Sequence, residues 1–325
     1  MLPNGRRIGP HLPLGAGMRK AAGRAVAIGA SAVQIFTDNP TSWRRRPSLP
    51  EELAQFRQQL AAADIGPIAV HAPYLINLAG PERTFHDQSV AVLANELRVA
   101  RAYGAAFVNV HIGSHRGAGV EAGVRRLTAG LVDVLERAWD SQPTGTDVVV
   151  VLENGSGGGF GLGASIEELV TIEGAIRDAG VPEARFGYCL DAAHLWGAGY
   201  AIDTAAGVDE VLADFDAAIG LGRLRMVHLN DSRSELGSRA DRHEHVGGGR
   251  IGADGLARFL VHPGLGHVMY VLETPGMDEG YDAINLARAT ALAAGEPLAE
   301  LPPEAFRLRS SRGRSAPPDP HGAKR

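Results

Sequence analysis

The sequence predicts an α/β fold, a closed (β/α)8 TIM barrel, and three observations carry that prediction. Short β-rich runs alternate with longer helical stretches from near the start to about residue 294. The alternation repeats eight times, which implies parallel strands joined by crossover helices. Eight such units in about 290 residues match the size of a closed barrel. A doubly wound open sheet is the competing architecture until the motifs are considered.

In order along the chain, the first strand is read near Arg7–Gly9 and is followed by the helical run Met18–Ile28. Ala32–Thr37 (AVQIFT) pairs with Pro50–Ala63, and Pro67–Val70 with the long periodic stretch Arg83–Tyr103. Ala106–Val110 leads to Gly119–Trp139, and Asp147–Leu152, dominated by valine, leads to Ser165–Ala179. Arg185–Leu190 precedes Ala205–Ile219, Leu224–Leu229 precedes Ala253–Leu260, and Val268–Leu272 precedes Gly280–Ala294. One domain spanning residues 1–300 is expected. From about Pro302 the chain turns rich in Arg, Ser and Pro and loses its apolar periodicity, so residues 301–325 are expected to form a disordered tail.

Composition sets limits on function. Hydrophobic residues make up 45% and charged residues 21% of the 325, as in ordinary globular proteins. No apolar run approaches the ~18 residues that span a bilayer, and the start lacks the order of a signal peptide, so a cytoplasmic location and no membrane partner are expected. The single cysteine, Cys189, excludes an internal disulfide and reads as a small core residue. A net charge of −5 argues against a general polyanion binder unless cations are bound, and three divalent ions would more than offset it. The basic residues are almost all arginine, which suits bidentate phosphate contacts.

The informative feature is where metal-capable residues fall. In a parallel barrel the C-terminal strand ends converge on one face, where active sites form. The third predicted strand ends at His71 (VHAPYLINLAG), the fourth at His111 (VNVHIGSH) and the fifth at Glu153 (VVVVLENGSG). The sixth ends at Asp191, with His194 three residues on (FGYCLDAAH), and the seventh at His228 (RMVHLNDS). The loop after it carries Asp241 and His243 (ADRHEH), and the eighth strand ends at Glu273 (MYVLETPG). A lone histidine or carboxylate at a strand end is ordinarily structural. Six consecutive strands ending this way would crowd carboxylates whose repulsion and desolvation only cations relieve.

Five imidazoles and four carboxylates suit zinc or manganese better than magnesium or calcium. They exceed what one ion needs, suffice for two with bridging carboxylates, and more naturally hold three. A metal cluster in an open cleft points to hydrolysis, with ions stabilising the attacking and leaving oxygens of a phosphoryl displacement. The Gly-rich segment Gly155–Gly163 lacks dinucleotide-binding spacing, and neither a Walker-type lysine loop nor a G-x-S-x-G elbow is present.

With these motifs in order, the chain resembles the endonuclease IV family of apurinic/apyrimidinic endonucleases from Ile8 to about residue 290. HAPYLINLA, VHIGSH, LEN, LDAAHLWGAGY, VHLNDS, GSRADRHEHVGGGRIG and LET carry the resemblance. It implies a xylose-isomerase-like barrel with a trinuclear zinc site, manganese being admitted at one position. His71 and His111 would hold the first ion, with Glu153 bridging to a second that Asp191, His228 and Glu273 complete. His194, Asp241 and His243 would hold the third. A metal-bound hydroxide would attack the phosphorus, with Glu153 and Glu273 as the catalytic carboxylates and Glu273 orienting the nucleophile. Such enzymes cleave 5′ to an abasic sugar in double-stranded DNA, leaving a 3′-hydroxyl and a 5′-deoxyribose phosphate, trim blocked 3′ ends, and act as monomers.

The resemblance also implies DNA contacts from mouth loops. Asn39, Trp43 and the basic run Arg44–Arg46 lie in TDNPTSWRRRP, and Tyr74 and Leu75 match the family's wedge into the gap left by the flipped-out sugar. Arg116, Arg233, Arg239 and Arg242 are further phosphate candidates, with Arg242 also placed to brace its neighbouring ligands. Thr41 and Ser42 stand where some members carry long polar or cationic side chains, which weakens a wedge from that loop. Ala192 and Ala193 replace a Thr-Cys pair common in the family, and His11 is retained in a looser N-terminal PHLPLGAGM. Two other readings compete. A sugar isomerase, epimerase or dehydratase on the same barrel would use Glu153, Asp191, His228 and Glu273 but has no need of His71, His111 and the Asp241/His243 pair. A non-catalytic DNA-damage binder would be expected to have lost ligands, and none is missing.

Overall fold

The structure is a computed structural model that describes residues 1–139 and 148–307. Its main elements are β1 (Arg7–Leu12), α1 (Met18–Ala27), β2 (Val33–Ile35), α2 (Leu53–Ala62), β3 (Ile68–His71) and α3 (Arg83–Tyr103). Then come β4 (Phe107–His111), α4 (Val120–Trp139), β5 (Val149–Glu153), α5 (Ile166–Asp178), β6 (Phe186–Asp191), α6 (Ala192–Ala198) and α7 (Ala205–Ala218). β7 (Leu224–His228), β8 (Asp231–Ser232), β9 (His243–Glu244), α8 (Gly252–Val261), β10 (Met269–Leu272) and α9 (Tyr281–Ala294) follow.

Eight of these strands close into one parallel barrel in the order β1-β10-β7-β6-β5-β4-β3-β2, as the strand–helix alternation predicts, and an open sheet is excluded. Inside the barrel Ala32, Ala69, Val151, Cys189, Met226, Met269 and Val271 form their own apolar cluster. The larger cluster fills the space between strands and helices, with Phe56, Tyr103, Phe186, Tyr188, Phe215 and Phe259 fully buried. Strands buried on both faces explain the near-continuous apolar runs in the sequence. Gly9 shows how tightly β1 and β2 approach, since a Cβ there would sit 1.6 Å from the Ala32 carbonyl oxygen. Cys189 takes the core role expected of it, its thiol pushed up to about 12 by burial.

The structure differs from the sequence reading at several edges. β1 runs on to Leu12, so His11 lies inside a strand, while β2 is only Val33–Ile35. Asp147, read as the start of the fifth strand, lies outside the described residues. The helix α6 and the β8–β9 pair were not predicted; a seven-residue helix and two-residue strands are too short to display a period. Residues 301–307, placed by the sequence in the tail, include a 3-10 turn at Ala305–Arg307 with Ala305 buried. The Ala305 carbonyl oxygen lies 3.2 Å from His245 Nε2. The rest of the expected tail, 308–325, lies outside the described residues.

Candidate metal centre

Strand register brings the metal-capable residues to one level of the barrel. His111 on β4 pairs with Glu153 on β5, and Asp191 on β6 pairs with His228 on β7, all at C-terminal strand ends. Three groups result whose potential ligand atoms lie within 4.8 Å of one another: His71, His111 and Glu153; Asp191, His194 and His243; and Glu153, Asp191, His228 and Glu273. Asp241 joins them through His194 Nε2 at 3.4 Å and His243 Nε2 at 3.0 Å. All nine residues singled out in the sequence are thus gathered at one mouth.

Local structure aims each donor. Asp191 caps α6 by accepting the His194 N–H on Oδ1 at 3.0 Å, which fixes His194 one turn beyond the strand end. Its other oxygen accepts a hydrogen bond from Asn230 Nδ2 at 2.8 Å. Asn230 Oδ1 in turn accepts the Glu273 N–H at 2.8 Å, tying β10 to β7. Asn109 Nδ2 donates to Glu153 Oε2 at 2.6 Å, and Asn154 Oδ1 accepts the Asp191 N–H at 2.7 Å. His71, His194 and His243 each set Nδ1 against a backbone carbonyl oxygen, of Ala72, Asn154 and Glu273 respectively, at 2.7, 2.9 and 3.0 Å. A carbonyl can only accept, so Nδ1 carries the proton and Nε2 presents its lone pair to the centre.

These atoms fit cations on two counts. His71 Nε2, His228 Nδ1, His243 Nε2, Glu153 Oε1 and Glu273 Oε2 are fully buried and make no hydrogen bond among the described residues. Burying so many unsatisfied donors and acceptors together is costly unless something binds them. Their spacing is the second count. His71 Nε2–Glu153 Oε2 is 3.5 Å, His228 Nδ1–Glu153 Oε1 is 3.4 Å, His228 Nδ1–Glu273 Oε2 is 3.4 Å and His243 Nε2–Asp191 Oδ2 is 3.5 Å. Tetrahedral ligands at ~2.0–2.1 Å from an ion stand about 3.3–3.4 Å from one another.

The electrostatics agree. Burial alone would push the Glu153 carboxyl up, yet His111, His228 and His71 hold it well below the usual carboxylate range. Glu273 is likewise held well below that range, against burial, by His228, His11 and His71. Against burial, which lowers it, the carboxylates of Asp191 and Asp241 raise His194 to about 10, and Asp241 and Asp191 raise His243. The carboxylate set favours positive charge at its centre, whether carried by protons or by cations.

The loop bearing Asp241 and His243 is anchored by a residue the sequence reading passed over. Buried Asp231 accepts backbone N–H groups from Gly249 and Ile251, both at 2.9 Å, and from Ser232 at 2.7 Å. Arg233, a phosphate candidate from the sequence, turns inward to donate to the His243 carbonyl oxygen at 2.8 and 3.1 Å. Arg242 is exposed and donates to the Asp241 carbonyl oxygen at 3.1 Å, the bracing position foreseen for it. Among the residues missed, Asn109, Asn154, Asn230 and Gln34 are fully or almost fully buried amides. A polar amide inside or just after a strand run was the available signal.

Beside the centre lies a groove of about 810 Å³ whose walls include Trp43, Tyr74, Leu75, Phe85 and Arg116, with His111 and Asp241 at the metal end. Half-buried Trp43 sits 6.3 Å from the exposed Phe85 ring, and the Arg116 guanidinium lies 5.9 Å above that ring and 3.5 Å from Glu82. Tyr74, 37% exposed, meets the rings of Phe36 and His71 at 5.2 and 5.6 Å. Arg44 and Asn39 are exposed, although Asn39 Oδ1 accepts from the Thr41 N–H and hydroxyl at 2.9 Å. Arg45 instead reaches inward to buried Glu96 at 3.4 Å, Arg46 pairs with Asp38 at 3.6 Å, and Arg239 is exposed. Phe85 escaped the sequence reading because one aromatic in a helix's first turn is usually packing.

Residues 22–296 match the family described as xylose isomerase-like TIM barrel. A protein named "Probable endonuclease 4" from Methanoculleus marisnigri is 41% identical over 286 residues, 88% of this chain and 98% of that one. One of the same name from Halorhodospira halophila is 40% identical over 84% of this chain and 90% of its own. Among solved structures, endonuclease IV from Thermus thermophilus superposes with a TM-score of 0.75 at 37% identity, covering 89% of this chain and 99% of that one. A D-tagatose 3-epimerase-like protein shares the fold at a TM-score of 0.64 and 18% identity, covering 90% of this chain and all of its own (100%).

Proposed function

Since the chain belongs to the endonuclease IV family and is a nuclease, we propose that it hydrolyses the phosphodiester 5′ to abasic sites in double-stranded DNA. The products would be a 3′-hydroxyl and a 5′-deoxyribose phosphate, and blocked 3′ ends would be trimmed in the same groove. The single observation that carries the chemistry is the set of buried, unpartnered nitrogens and oxygens that converge from the strand ends.

Three zinc ions per chain are the proposed complement, manganese being acceptable at one position. His71, His111 and Glu153 would hold the first, Glu153, Asp191, His228 and Glu273 the second, and His194, Asp241 and His243 the third. Bound cations would supply Lewis acidity toward the phosphate and activate a water for in-line displacement. Glu153 and Glu273 would be the catalytic carboxylates, with Glu273 orienting that water. Asp191, whose Oδ2 is 3.6 Å from His228 and 3.5 Å from His243, keeps the second and third positions in register.

Arg44 and Arg116 meet phosphates, and Asn39 and Arg242 contact the DNA backbone. Tyr74 and Leu75 fill the stack where the base is missing, and Trp43 lines the groove wall. Arg233 acts through His243 rather than on DNA, given the bonds that hold it there. The proposed unit is a monomer with one catalytic domain, residues 1–300, working in the cytoplasm. Among the described residues no helix is long and apolar enough to cross a membrane.

The test is incubation with an end-labelled duplex bearing one abasic analogue, with and without chelator. Incision 5′ to the lesion that chelator abolishes and zinc restores is expected. Turnover of ketoses with no incision would replace the nuclease by a sugar isomerase. Tight binding of the abasic duplex without incision would leave a damage-binding protein.

A further inference from the structure

Four imidazoles of the centre have their non-ligand nitrogen anchored, and one is anchored differently. His71, His194 and His243 lean on backbone carbonyls and present Nε2. His228 is reversed: its Nδ1 faces Glu153, Asp191 and Glu273, at 3.4, 3.6 and 3.4 Å, while Nε2 lies 3.2 Å from Gln34 Oε1. Gln34 comes from β2, across the barrel in sequence, and is fully buried. Its Nε2 lies 2.9 Å from Glu273 Oε1 and 3.0 Å from His11 Nδ1.

The amide has one consistent orientation. Glu273 is an acceptor when ionised, so the –NH2 must face it, and its second hydrogen then points to His11 Nδ1. The carbonyl oxygen is left for His228, which must donate from Nε2. A single side chain therefore keeps the His228 Nδ1 lone pair toward the centre and pins one oxygen of Glu273, leaving the other, buried Oε2, for a ligand. A backbone carbonyl cannot be mutated away, but this anchor can.

We propose that Gln34 is a positioning residue for the group formed by Glu153, Asp191, His228 and Glu273, and that this group's hold on its cation depends on the Gln34 carboxamide. The inference rests on the reading that the group binds a cation, and it concerns no residue that touches DNA. Second contacts of this kind typically change metal affinity by about 10–100-fold. An interior, nearly isosteric Gln34→Met change keeps the volume and removes both hydrogen-bonding functions. Gln34→Glu keeps an acceptor for His228 and loses the donor to Glu273.

The experiment measures zinc affinity by chelator competition and follows the His228 imidazole N–H by proton NMR in the zinc-loaded protein. Wild type should show a protected Nε2–H resonance. Gln34→Met should lose it and release one of its ions about 10–100-fold more readily, with the remaining ions held as in wild type. Gln34→Glu should keep the resonance, which separates anchoring from general disturbance of the barrel. Equal zinc affinity and an unchanged resonance in Gln34→Met would overturn the proposal. A wild-type protein that takes up no zinc would sink the metal reading itself, and one that loads zinc but spares abasic DNA would sink only the nuclease reading.

Discussion

Asp241, in the loop between β8 and β9, and His243, the first residue of β9, face each other with Oδ1 3.0 Å from Nε2. Neither lies at the end of a barrel strand. Their approach is set by the segment between β7 and α8, where Arg233 donates to the His243 carbonyl oxygen and Asp231 accepts the backbone N–H groups of Gly249 and Ile251. The third proposed cation therefore takes two of its three ligands from this segment, and only His194 from the barrel frame. We predict that His243→Ala loses one metal per chain and lowers abasic-site incision by orders of magnitude, as read by zinc analysis and by gel assay. Zinc content equal to wild type would remove His243 from the ligand set.

Glu273 differs because it belongs to a strand end and its main-chain N–H is tied to Asn230. Replacing it by glutamine keeps the shape while removing the charge, and the groove residues that would meet DNA are untouched. Glu273→Gln should abolish cleavage and retain much of the affinity for abasic duplex, measured by fluorescence anisotropy. Normal turnover by this variant would take Glu273 out of the mechanism.

Six of the eight strand ends were legible because apolar strand runs stop sharply at a polar residue, and His71, His111, Glu153, Asp191, His228 and Glu273 each mark such a stop, whereas β1 and β2 end on apolar residues. Asp241 and His243 lie outside that pattern: the strand reading brings them only to the loop after the seventh strand, and the family motif gives them a ligand role. Gln34, Asn109, Asn154 and Asn230 were not singled out because a buried amide is defined by its partners. Those partners come from other strands, up to 239 residues away for Gln34 and Glu273. Arg233 and Arg45, phosphate candidates by sequence, turn toward the His243 carbonyl oxygen and Glu96 instead: the sequence shows a charge, and only the fold shows which way it turns.

Proton competition gives a signed prediction for the metal-free protein. Carboxylates raise His194 from 6.5 to about 10 and raise His243 as well, while Glu153, Asp191 and Glu273 are held low. Raised imidazoles stabilise the fold fully below about 6.5 and lose that contribution as pH climbs toward 10. The depressed carboxylates contribute above their ordinary range and lose it as pH falls. Metal-free protein should thus melt at progressively lower temperature as pH rises from 7 toward 10, and zinc-loaded protein should not, because the cation replaces the protons. Zinc uptake near neutral pH should release protons, and affinity should fall with falling pH. Parallel pH–melting curves with and without zinc would contradict this.

Adjacent arginines in the strand-two loop should behave in opposite ways. Arg44 is exposed and follows Trp43 of the groove wall, whereas Arg45 runs inward to Glu96, whose side chain is 1% exposed, at 3.4 Å. Burial pushes the Glu96 carboxyl up, against Thr37 and Arg45, which pull it down. Arg44→Ala should leave the melting temperature near wild type, weaken DNA binding and reduce the slope of log affinity against log salt by about 1. Arg45→Ala leaves a buried carboxylate without its cation and should cost about 3 kcal/mol of stability near neutral pH. Because Glu96 then takes up a proton more readily in the folded state, that deficit should shrink in acid and grow as pH rises past the ordinary carboxylate range. Denaturant melts of Arg45→Ala at pH 5 and pH 8 check the sign. A deficit that is equal at both, or larger at pH 5, would mean that Glu96 does not depend on Arg45.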